Sequence, residues 1–246
     1  TIECIVDGIL APIELLQLFR VLPMKRVVCL ARWQGKLVVA KLFFARGRWE
    51  QHIAREEQGI TALMTAGVKT ANLLGKGETA DKSCGLLLLE YLDKSESLGA
   101  RCEHLHIEDQ QLLLARVISL IAKSHALGFL QKDIHLNNFL LQNEKIYVLD
   151  AGELEQHDGG VDSVNSMRNV ALFLAQFPVS NDALVPFLYE HYRQQRPSVD
   201  WSTDIAVFCA LLRKKRAQRL KTVLKKLYRE TSANAFKRDW NHYIVY

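Results

Sequence analysis

Apolar and polar residues alternate along the first part of the chain in a pattern typical of β-strands. Two runs rich in aliphatic and β-branched residues, Val27–Arg32 and Leu37–Phe43, flank the turn sequence Gln34-Gly35 and predict a hairpin. Apolar residues then recur at helical spacing from about Trp49 to Ala66, and the unbroken apolar run Leu86–Leu89 predicts a buried strand. Up to this strand we therefore expect β-strands around one helix.

The rest of the chain has a mainly helical pattern. A long amphipathic helix is predicted over Ile107–Leu127, with Gly128 as its stop signal. Two short apolar strands are predicted at Phe139–Leu141 and Ile146–Leu149. Helical spacing resumes at about Asn165. The pattern thus predicts a second region that is helical apart from one pair of short strands.

Composition narrows the class of protein. Of 246 residues, 49% are hydrophobic and 24% are charged, which is ordinary for a globular protein. No apolar run reaches the roughly 18 residues that a membrane-spanning helix needs, and Thr1–Leu10 lacks the basic and apolar parts of a secretory signal. The five cysteines are odd in number and form no CxxC pair, which argues against a disulfide framework or a zinc site and favours a reducing cytoplasm.

Positive charge is concentrated near the end of the chain. The net charge is only +5, but Arg213–Arg229 contains nine Lys or Arg residues and no acidic residue. Apolar residues recur at helical spacing within this segment, at Ala217, Leu220, Leu224, Leu227 and Tyr228. The segment is therefore predicted to be a basic amphipathic helix.

A set of polar residues lies between the long helix and the two short strands. Asp133 and Asn138 are five positions apart, and Asp150 follows Asn138 by twelve positions at the end of the second of these strands. This spacing resembles the catalytic loop HRDxxxxN and the later DFG of the protein-kinase-like superfamily. The resemblance implies an α+β, bilobal protein-kinase-like fold, with a small β-rich N-lobe at residues 1–92 and a mainly helical C-lobe at residues 93–246.

The same resemblance implies roles in phosphoryl transfer. Asp133 would orient the acceptor hydroxyl and take its proton, while Asn138 and Asp150 would hold Mg²⁺ beside the phosphates of ATP. His135 stands where protein kinases carry a lysine that contacts phosphate, so it could donate to the transferred phosphoryl or stabilise the loop. Taken singly, Asp133, Asn138 and Asp150 would be interpreted as an ordinary turn residue, a cap residue and a strand-end residue. Their combination favours the kinase interpretation.

Nucleotide-binding residues are expected in the first region. Val38–Lys41 resembles the VAIK strand of kinases, whose lysine contacts the α- and β-phosphates. Glu56 lies on the inward-facing stripe of the predicted helix and is the expected partner of Lys41, with Glu57 as the alternative. Order along the chain puts the hinge, whose backbone groups would bind adenine, at Glu90-Tyr91-Leu92. Without the catalytic loop, Lys41 and Glu56 would be interpreted as surface charges.

The glycine-rich phosphate-binding loop of kinases has no matching motif in this sequence. The corresponding segment, Arg20–Arg26, contains no glycine, whereas the kinase pattern is GxGxxG. Lys25 and Arg26 could supply side-chain charge in place of backbone amides. The alternative is that both are solvated turn residues.

Further departures from the kinase pattern bear on the acceptor. Gln131 and Ala151 replace the His and Phe that pack together in switchable kinases, which suggests that this site lacks their switch. Lys132 replaces the Arg that pairs with a phosphorylated activation loop. Only about a dozen residues separate Gly152 from the next helical pattern, and no APE motif follows. A small-molecule or sugar hydroxyl is therefore favoured over a protein acceptor.

The helix containing Glu56 and its exit, Ala66-Gly67-Val68-Lys69-Thr70, resemble those of bacterial lipopolysaccharide (Kdo/heptose, WaaP-type) kinases and of RIO kinases. The basic tail around Lys225–Ser232 favours the lipopolysaccharide group. This resemblance implies an ATP- and Mg²⁺-dependent kinase acting on a sugar hydroxyl of the lipopolysaccharide inner core, Kdo or heptose. The alternatives are a soluble phosphotransferase of the aminoglycoside or choline type, and a pseudokinase that binds nucleotide or acts as a scaffold.

The implied partner is an anionic glycolipid. The predicted basic helix would bind the membrane surface in which this glycolipid lies. Each Lys or Arg near an anionic membrane contributes roughly 1 kcal/mol, and an apolar helix face adds burial in the interface. We expect a cytoplasmic protein that lies peripherally at the inner face of the cytoplasmic membrane. The alternative is a helix that packs its leucines on the C-lobe and leaves its basic side in solvent. Nucleic acid is not expected, because aromatic residues do not interleave with the basic ones.

Overall fold

The computed structural model describes residues 1–44, 48–201, 204–227, 236–238 and 243–245. The chain divides into two compact units. The first unit comprises Thr1–Ile60, Ala71–Asp93 and Thr222–Tyr246. The second unit comprises Thr61–Thr70 and Lys94–Lys221.

Six antiparallel strands of the first unit close into a barrel. They are Ile2–Val6 (β1), Ile9–Leu22 (β2), Arg26–Trp33 (β3), Lys36–Phe43 (β4), Leu73–Thr79 (β5) and Gly85–Glu90 (β6). Their order is β1, β2, β3, β4, β6, β5, and β5 pairs back to β1. Alternate side chains fill the interior, as Val38, Ala40 and Leu42 do on β4. The expected sheet is thus closed on itself, because β1 pairs on both sides.

Closure of the barrel depends on a close approach of two backbones. Gly77 of β5 faces β1, where an added Cβ would collide with the main-chain oxygen of Ile5. Only glycine fits this position without moving a strand. The outer face of β4 is covered by the helix Trp49–Thr65 (α1), and the rings of Phe43 and His52 stack there at 5.8 Å.

The predicted elements of the first region are confirmed by β3, β4, α1 and β6. The strands β1, β2 and β5 have no clear signal in the sequence pattern. β2 shows the reason, because most of its residues are exposed, including Leu16, Leu18 and Phe19, and irregular pairing interrupts its register with β3. Regular alternation of apolar and polar residues is therefore absent from this strand.

The second unit is mainly helical. Its helices are Leu98–Glu103 (α2), Ile107–Ala126 (α3), Ser163–Leu174 (α4) and Val185–Gln194 (α5). A helix at Ile205–Leu227 (α6) follows them. Short strands complete the described elements: Glu96–Ser97 (β7), Phe129–Gln131 (β8), Phe139–Gln142 (β9), Lys145–Val148 (β10), Leu154–Gln156 (β11), Phe236–Arg238 (β12) and Tyr243–Val245 (β13).

Strands β7 to β11 form small sheets within the second unit, whereas β12 and β13 belong to the first unit. β9 pairs with β7 and β10, and β8 pairs with β11, whereas β12 and β13 pair with each other. Gly128 ends α3 with φ +84°, and a Cβ there would collide with the main-chain oxygen of His157. The predicted helix over Ile107–Leu127, both short strands and the helix starting near Asn165 are confirmed.

The predicted basic helix is present as α6, which begins before the predicted segment. Phe208 and Leu212, at its beginning, are buried. Further along, Leu220 is 60% exposed and Leu224 is 46% exposed, so these two leucines of the predicted stripe are not buried against the protein. Residues 228–232 of the predicted tail lie outside the described residues.

A strand-rich first unit and a helix-rich second unit together confirm the α+β class. Among the described residues, no helix combines the length and the apolar character that crossing a membrane requires.

Candidate active site

The first group of predicted residues meets on the outer face of β4. Alternation along the strand turns Lys41 away from the barrel interior, where its Nζ donates to Oε1 of Glu56 at 2.7 Å. Both residues are buried, with exposed fractions of 8% and 4%. Arg26, at the start of β3, approaches the same oxygen through Nη1 at 3.5 Å. Glu56 therefore holds two cations on one side of the barrel.

Glu57 and Lys25 lie apart from this group. The carboxylate of Glu57 pairs with Lys76 at 2.7 Å on the surface, so it has a partner other than Lys41. Lys25 is exposed in the turn between β2 and β3, where its amide donates to Leu22 O at 3.0 Å. The turn adopts a positive φ of 58° at Met24 without any glycine. Of the two basic residues predicted for the phosphate loop, only Arg26 reaches the Lys41 and Glu56 pair.

The predicted hinge follows β6. Glu90 uses its side chain to accept from the Asn72 side-chain amide at 2.6 Å, and its backbone amide donates to Asn72 O at 2.8 Å. The ring of Tyr91 stacks with that of Phe19, with centroids 6.5 Å apart. Leu92 is buried. The Glu90 and Tyr91 side chains and the Glu90 backbone amide are therefore engaged within the first unit.

The residues predicted for the catalytic loop lie in the second unit, between β8 and β9. The carboxylate of Asp133 is exposed, and its main-chain oxygen accepts from Asn138 Nδ2 at 2.8 Å. His135 Nδ1 accepts from the Asn137 amide at 3.2 Å, and His135 O accepts from the Asn138 amide at 2.9 Å. His135 thus caps the short turn that carries Asn138, which is the loop-stabilising role considered for it.

Asp150 follows β10 in a left-handed conformation, with φ 57° and ψ 54°. Asp is among the few residues that tolerate this region, and such conformations cluster at functional sites. The amide of Leu149 donates to Asn138 O at 2.7 Å. The backbone therefore brings Asn138 beside the residue that precedes Asp150, as the sequence spacing implies.

Gln131 replaces a kinase histidine and makes a defined contact. Its Nε2 donates to Leu149 O at 2.8 Å, directly before Asp150. Ala151, which replaces the kinase phenylalanine, is buried on the other side of Asp150. Lys132 pairs with Glu155 on the surface at 3.2 Å. The amide of Gln131 thus links the loop of Asp133 to the segment of Asp150.

A buried hydrogen-bonded network continues from Gln131 into the second unit. Asn169 Nδ2 donates to Gln131 O at 2.9 Å, and Asn169 Oδ1 lies 3.2 Å from His125 Nε2. His125 Nδ1 lies 2.7 Å from the Tyr192 hydroxyl, which also contacts Arg196. Every member is at least nine-tenths buried. Satisfied networks of this kind fix side chains in one arrangement.

The direction of these hydrogen bonds can be assigned along the chain of groups. Because Asn169 Oδ1 can only accept, His125 must donate from Nε2, and its Nδ1 must accept from the Tyr192 hydroxyl. Burial and, to a smaller extent, the nearby Arg196 charge lower the pKa of His125 to about 3. A neutral imidazole is what this arrangement of donors requires.

Two residues that support this loop, Asn169 and Gln176, could not be recognised from the sequence. Asn169 lies 38 residues from Gln131 along the chain, and Gln176 lies 42 residues from Ile134. Gln176 Nε2 donates to Ile134 O at 2.8 Å, while its Oε1 accepts from the Leu136 amide at 3.1 Å. Both residues support the catalytic loop from α4 and the segment after it, so only the fold reveals them.

The chain matches the model of the lipopolysaccharide kinase (Kdo/WaaP) family over residues 34–156, which is half of its length. The chain belongs to this family. A search of curated proteins finds no match. The matched region includes Lys41, Glu56, Asp133, Asn138 and Asp150, whereas Arg26 and α6 lie outside it.

Membership of a kinase family implies the use of ATP and, typically, of a metal ion. Within the described ranges, no group of three or more His, Cys, Asp or Glu residues is arranged to hold a metal. Mg²⁺ in kinases is held by only one or two protein oxygen ligands together with the phosphates of the substrate. The carboxylate of Asp150 and the amide oxygen of Asn138 are donors of the kind that Mg²⁺ prefers, so these residues fit such an ion.

Proposed function

We propose that the protein transfers the γ-phosphoryl group of ATP to a sugar hydroxyl, of Kdo or heptose, in the lipopolysaccharide inner core. One observation carries the proposal: Asp133, Asn138 and the Asp150 segment belong to one hydrogen-bonded loop system, in a chain of the lipopolysaccharide kinase family. Kinases need this constellation of base and metal ligands. We further propose that residues 1–92 act as the N-lobe and residues 93–246 as the C-lobe of a bilobal kinase-like enzyme.

Asp133 is the proposed general base. Its carboxylate is exposed, so an acceptor hydroxyl can approach it, while the Asn138 amide fixes the main chain on which it is carried. A positioned base that takes the hydroxyl proton as the new O–P bond forms contributes on the order of 10²–10⁴ in rate. The oxygen of the ADP leaving group departs as the acceptor oxygen attacks in line.

Asn138 and Asp150 are the proposed metal ligands. Bound Mg²⁺ would neutralise charge on the phosphates. The protein contributes fixed positions for the two ligands, because Leu149 bonds Asn138 and Gln131 bonds Leu149. Asp150 keeps its left-handed backbone within this framework.

Lys41, Glu56 and Arg26 form the proposed phosphate grip. A buried ion pair adds little net stability. The role that we assign to Glu56 is therefore to hold Lys41 in position. Lys41 would contact the α- and β-phosphates, and Arg26 would add charge where a glycine-rich loop is missing. The main-chain oxygen of Glu90 and backbone groups of Leu92 would bind adenine, because Asn72 holds both the side chain and the backbone amide of Glu90.

His135 would act from the turn that it caps. Since its Nδ1 accepts from the Asn137 amide, a neutral imidazole carries its proton on Nε2. From the same loop as Asp133, that N–H would donate to the phosphoryl group in transfer.

The proposed partner of α6 is the inner face of the cytoplasmic membrane. Leu220, Val223 and Leu224 are 46–60% exposed, and Lys221 and Lys225 on the same turns are also exposed. Apolar burial in the interface and attraction to anionic headgroups would both favour peripheral binding of such a helix. A kinase with a glycolipid acceptor works at that surface.

A panel of acceptors tests the proposed function. The protein is incubated with γ-labelled ATP and Mg²⁺ together with dephosphorylated lipopolysaccharide core, an aminoglycoside or choline. We expect label in the core alone. Label in the aminoglycoside or in choline would favour the soluble phosphotransferase, and ATP binding without transfer to any acceptor would favour the pseudokinase.

A further inference from the structure

The inward side of α6 changes from apolar to cationic along its length. Phe208 and Leu212 are buried on this side. The same side continues at helical spacing with Lys215, Arg216 and Arg219, and all three are half-buried while their neighbours on the helix are exposed. A half-buried stripe of positive charge needs an anionic partner, because desolvated cations are unfavourable without one.

Arg216 has such a partner within the protein. Its Nη1 donates to Asp182 Oδ2 at 2.8 Å, and Nη2 contacts the other oxygen of the same carboxylate. Nη2 also lies 3.5 Å from Phe177 O. This bidentate ion pair fixes α6 against the segment that follows α4.

That segment also holds the catalytic loop. Gln176, the residue before Phe177, donates to Ile134 O at 2.8 Å and accepts from the Leu136 amide at 3.1 Å. Gln176 and Phe177 therefore connect the residue after Asp133 to Arg216 of α6. The connection places this side of α6 beside the catalytic loop.

Arg219 is one helical turn beyond Arg216 on the same side. In the described part of the chain, no ion pair or hydrogen bond joins the Arg219 guanidinium to another residue. Burial lowers the pKa of the Arg219 guanidinium, and the negative charge of the Asp133 carboxylate opposes this effect. Arg219 remains a cation at neutral pH. A half-buried cation thus lies near the proposed base without being bound to it.

We infer that Arg219 binds an anionic group of the acceptor and so aligns the acceptor hydroxyl with Asp133. The guanidinium offers a planar fork that matches a carboxylate or a phosphate, and either group can be present in a lipopolysaccharide inner core. An acceptor that is held at two points is bound in one orientation. Such orientation is a main source of rate enhancement in phosphoryl transfer. This inference rests on the proposed function and specifies how its acceptor is chosen.

Steady-state kinetics with soluble, deacylated core oligosaccharide test the inference. The variants are Arg219→Gln, Arg219→Lys and, as a control, Lys214→Gln, whose side chain is exposed on the same helix. We expect Arg219→Gln to raise the KM for the oligosaccharide roughly 10- to 100-fold, the effect of losing a hydrogen-bonded charge. Arg219→Lys should retain part of the affinity, and Lys214→Gln should match wild type. The KM for ATP should change less than twofold in all variants.

Modified acceptors identify the anionic group. If the Arg219→Gln effect disappears on dephosphorylated oligosaccharide, the partner is a phosphate. If the effect persists there but disappears once the carboxyl groups are also reduced, the partner is a carboxylate. An effect that remains on the oligosaccharide lacking both groups would overturn the inference, as would an unchanged acceptor KM. A loss confined to kcat with a shifted pH profile would also overturn it, because Arg219 would then act on Asp133.

Equilibrium binding separates this inference from the proposed function. Titration of the oligosaccharide into the protein without ATP should show the same loss of affinity in Arg219→Gln. Absence of transfer by wild type, with binding that still depends on Arg219, would contradict the kinase proposal alone. Binding by wild type and Arg219→Gln with equal affinity would contradict the inference alone.

Discussion

The side-chain amide of Gln131 donates to the main-chain oxygen of Leu149 at 2.8 Å, immediately before Asp150. This bond ties the loop that carries the proposed base to the segment that carries a proposed metal ligand. Protein kinases have a histidine at the position of Gln131 and a phenylalanine at that of Ala151. The glutamine therefore supplies a polar link here, while the His and Phe pair of switchable kinases is absent from the sequence.

Replacing Gln131 tests this link. Gln131→Leu leaves the half-buried main-chain oxygen of Leu149 without its donor, which costs about 1–3 kcal/mol in free energy of unfolding. Because Asp150 would lose its fixed position, we expect kcat to fall at least tenfold. Denaturant unfolding and steady-state kinetics measure the two effects. Gln195→Leu, at an exposed glutamine, is the control, and equal activity in the two variants would contradict a positioning role.

The pair of Lys41 and Glu56 gives a second prediction, with a matched control one residue away. Glu56→Gln removes the charge that holds Lys41 and Arg26, so we expect kcat/KM for ATP to fall roughly 10- to 100-fold. Glu57→Gln removes only a surface pair with Lys76 and should change kcat/KM less than twofold. Similar losses in both variants would contradict the assignment of Glu56 to the phosphate grip.

The buried His125 predicts a dependence of stability on pH. Its pKa is lowered to about 3 by burial and by Arg196, whereas in the unfolded chain it is about 6.5. Below pH 6.5 the unfolded state therefore binds a proton that the folded state rejects. The stabilising contribution is complete above that pH and falls as the pH is lowered, by up to about 1.4 kcal/mol per pH unit.

Comparison with His125→Gln isolates this contribution from that of the carboxylates. The variant is expected to be less stable at pH 7, because it disrupts the contacts with Tyr192 and Asn169. Its free energy of unfolding should also fall less steeply than that of wild type between about pH 6 and pH 4. Parallel slopes, measured by denaturant unfolding across this range, would contradict a neutral buried imidazole.

Membrane binding by α6 depends on two kinds of residue that can be changed separately. Leu220→Ser with Leu224→Ser removes exposed apolar surface, and Lys221→Gln with Lys225→Gln removes exposed charge. Each lysine near an anionic surface contributes about 1 kcal/mol, so we expect the charge variant to bind anionic vesicles at least tenfold more weakly. Vesicle sedimentation measures this. The Arg216 ion pair with Asp182 is left intact in both variants.

Salt and a charge control complete the membrane test. Binding of wild type should weaken as ionic strength rises, because the lysines act through a screened field. Lys94→Gln with Lys145→Gln removes two charges elsewhere and should leave binding unchanged. Vesicle binding that is insensitive to salt and to Lys221 and Lys225 would remove α6 as the contact surface.

Local patterns predicted the elements whose apolar residues are mostly buried or half-buried. β3, β4, α1 and α3 are of this kind. β2 escaped prediction because its apolar residues are mostly exposed and its pairing with β3 is irregular. Closure of the barrel could not be predicted either, since it depends on pairing between β1 and β5, which are far apart in sequence.

The residues of the candidate site also fall into two groups, those that could be predicted from the sequence and those that could not. Spacing alone indicated Asp133, Asn138 and Asp150, because a catalytic loop is local in sequence. Asn169 and Gln176 could not be found from spacing, since they reach the loop across 38 to 42 residues of chain. Arg219 was visible only as one charge among nine in the segment Arg213–Arg229. Burial distinguishes it from the exposed lysines of the same helix.

The central claim is phosphoryl transfer to the lipopolysaccharide inner core with Asp133 as base. Its most direct test is the rate at which γ-labelled ATP labels dephosphorylated core in the presence of wild type and of Asp133→Asn. We predict labelling by wild type and a rate lower by roughly 10²–10⁴-fold in the variant. No labelling of core by wild type, or equal rates for the two proteins, would contradict the claim.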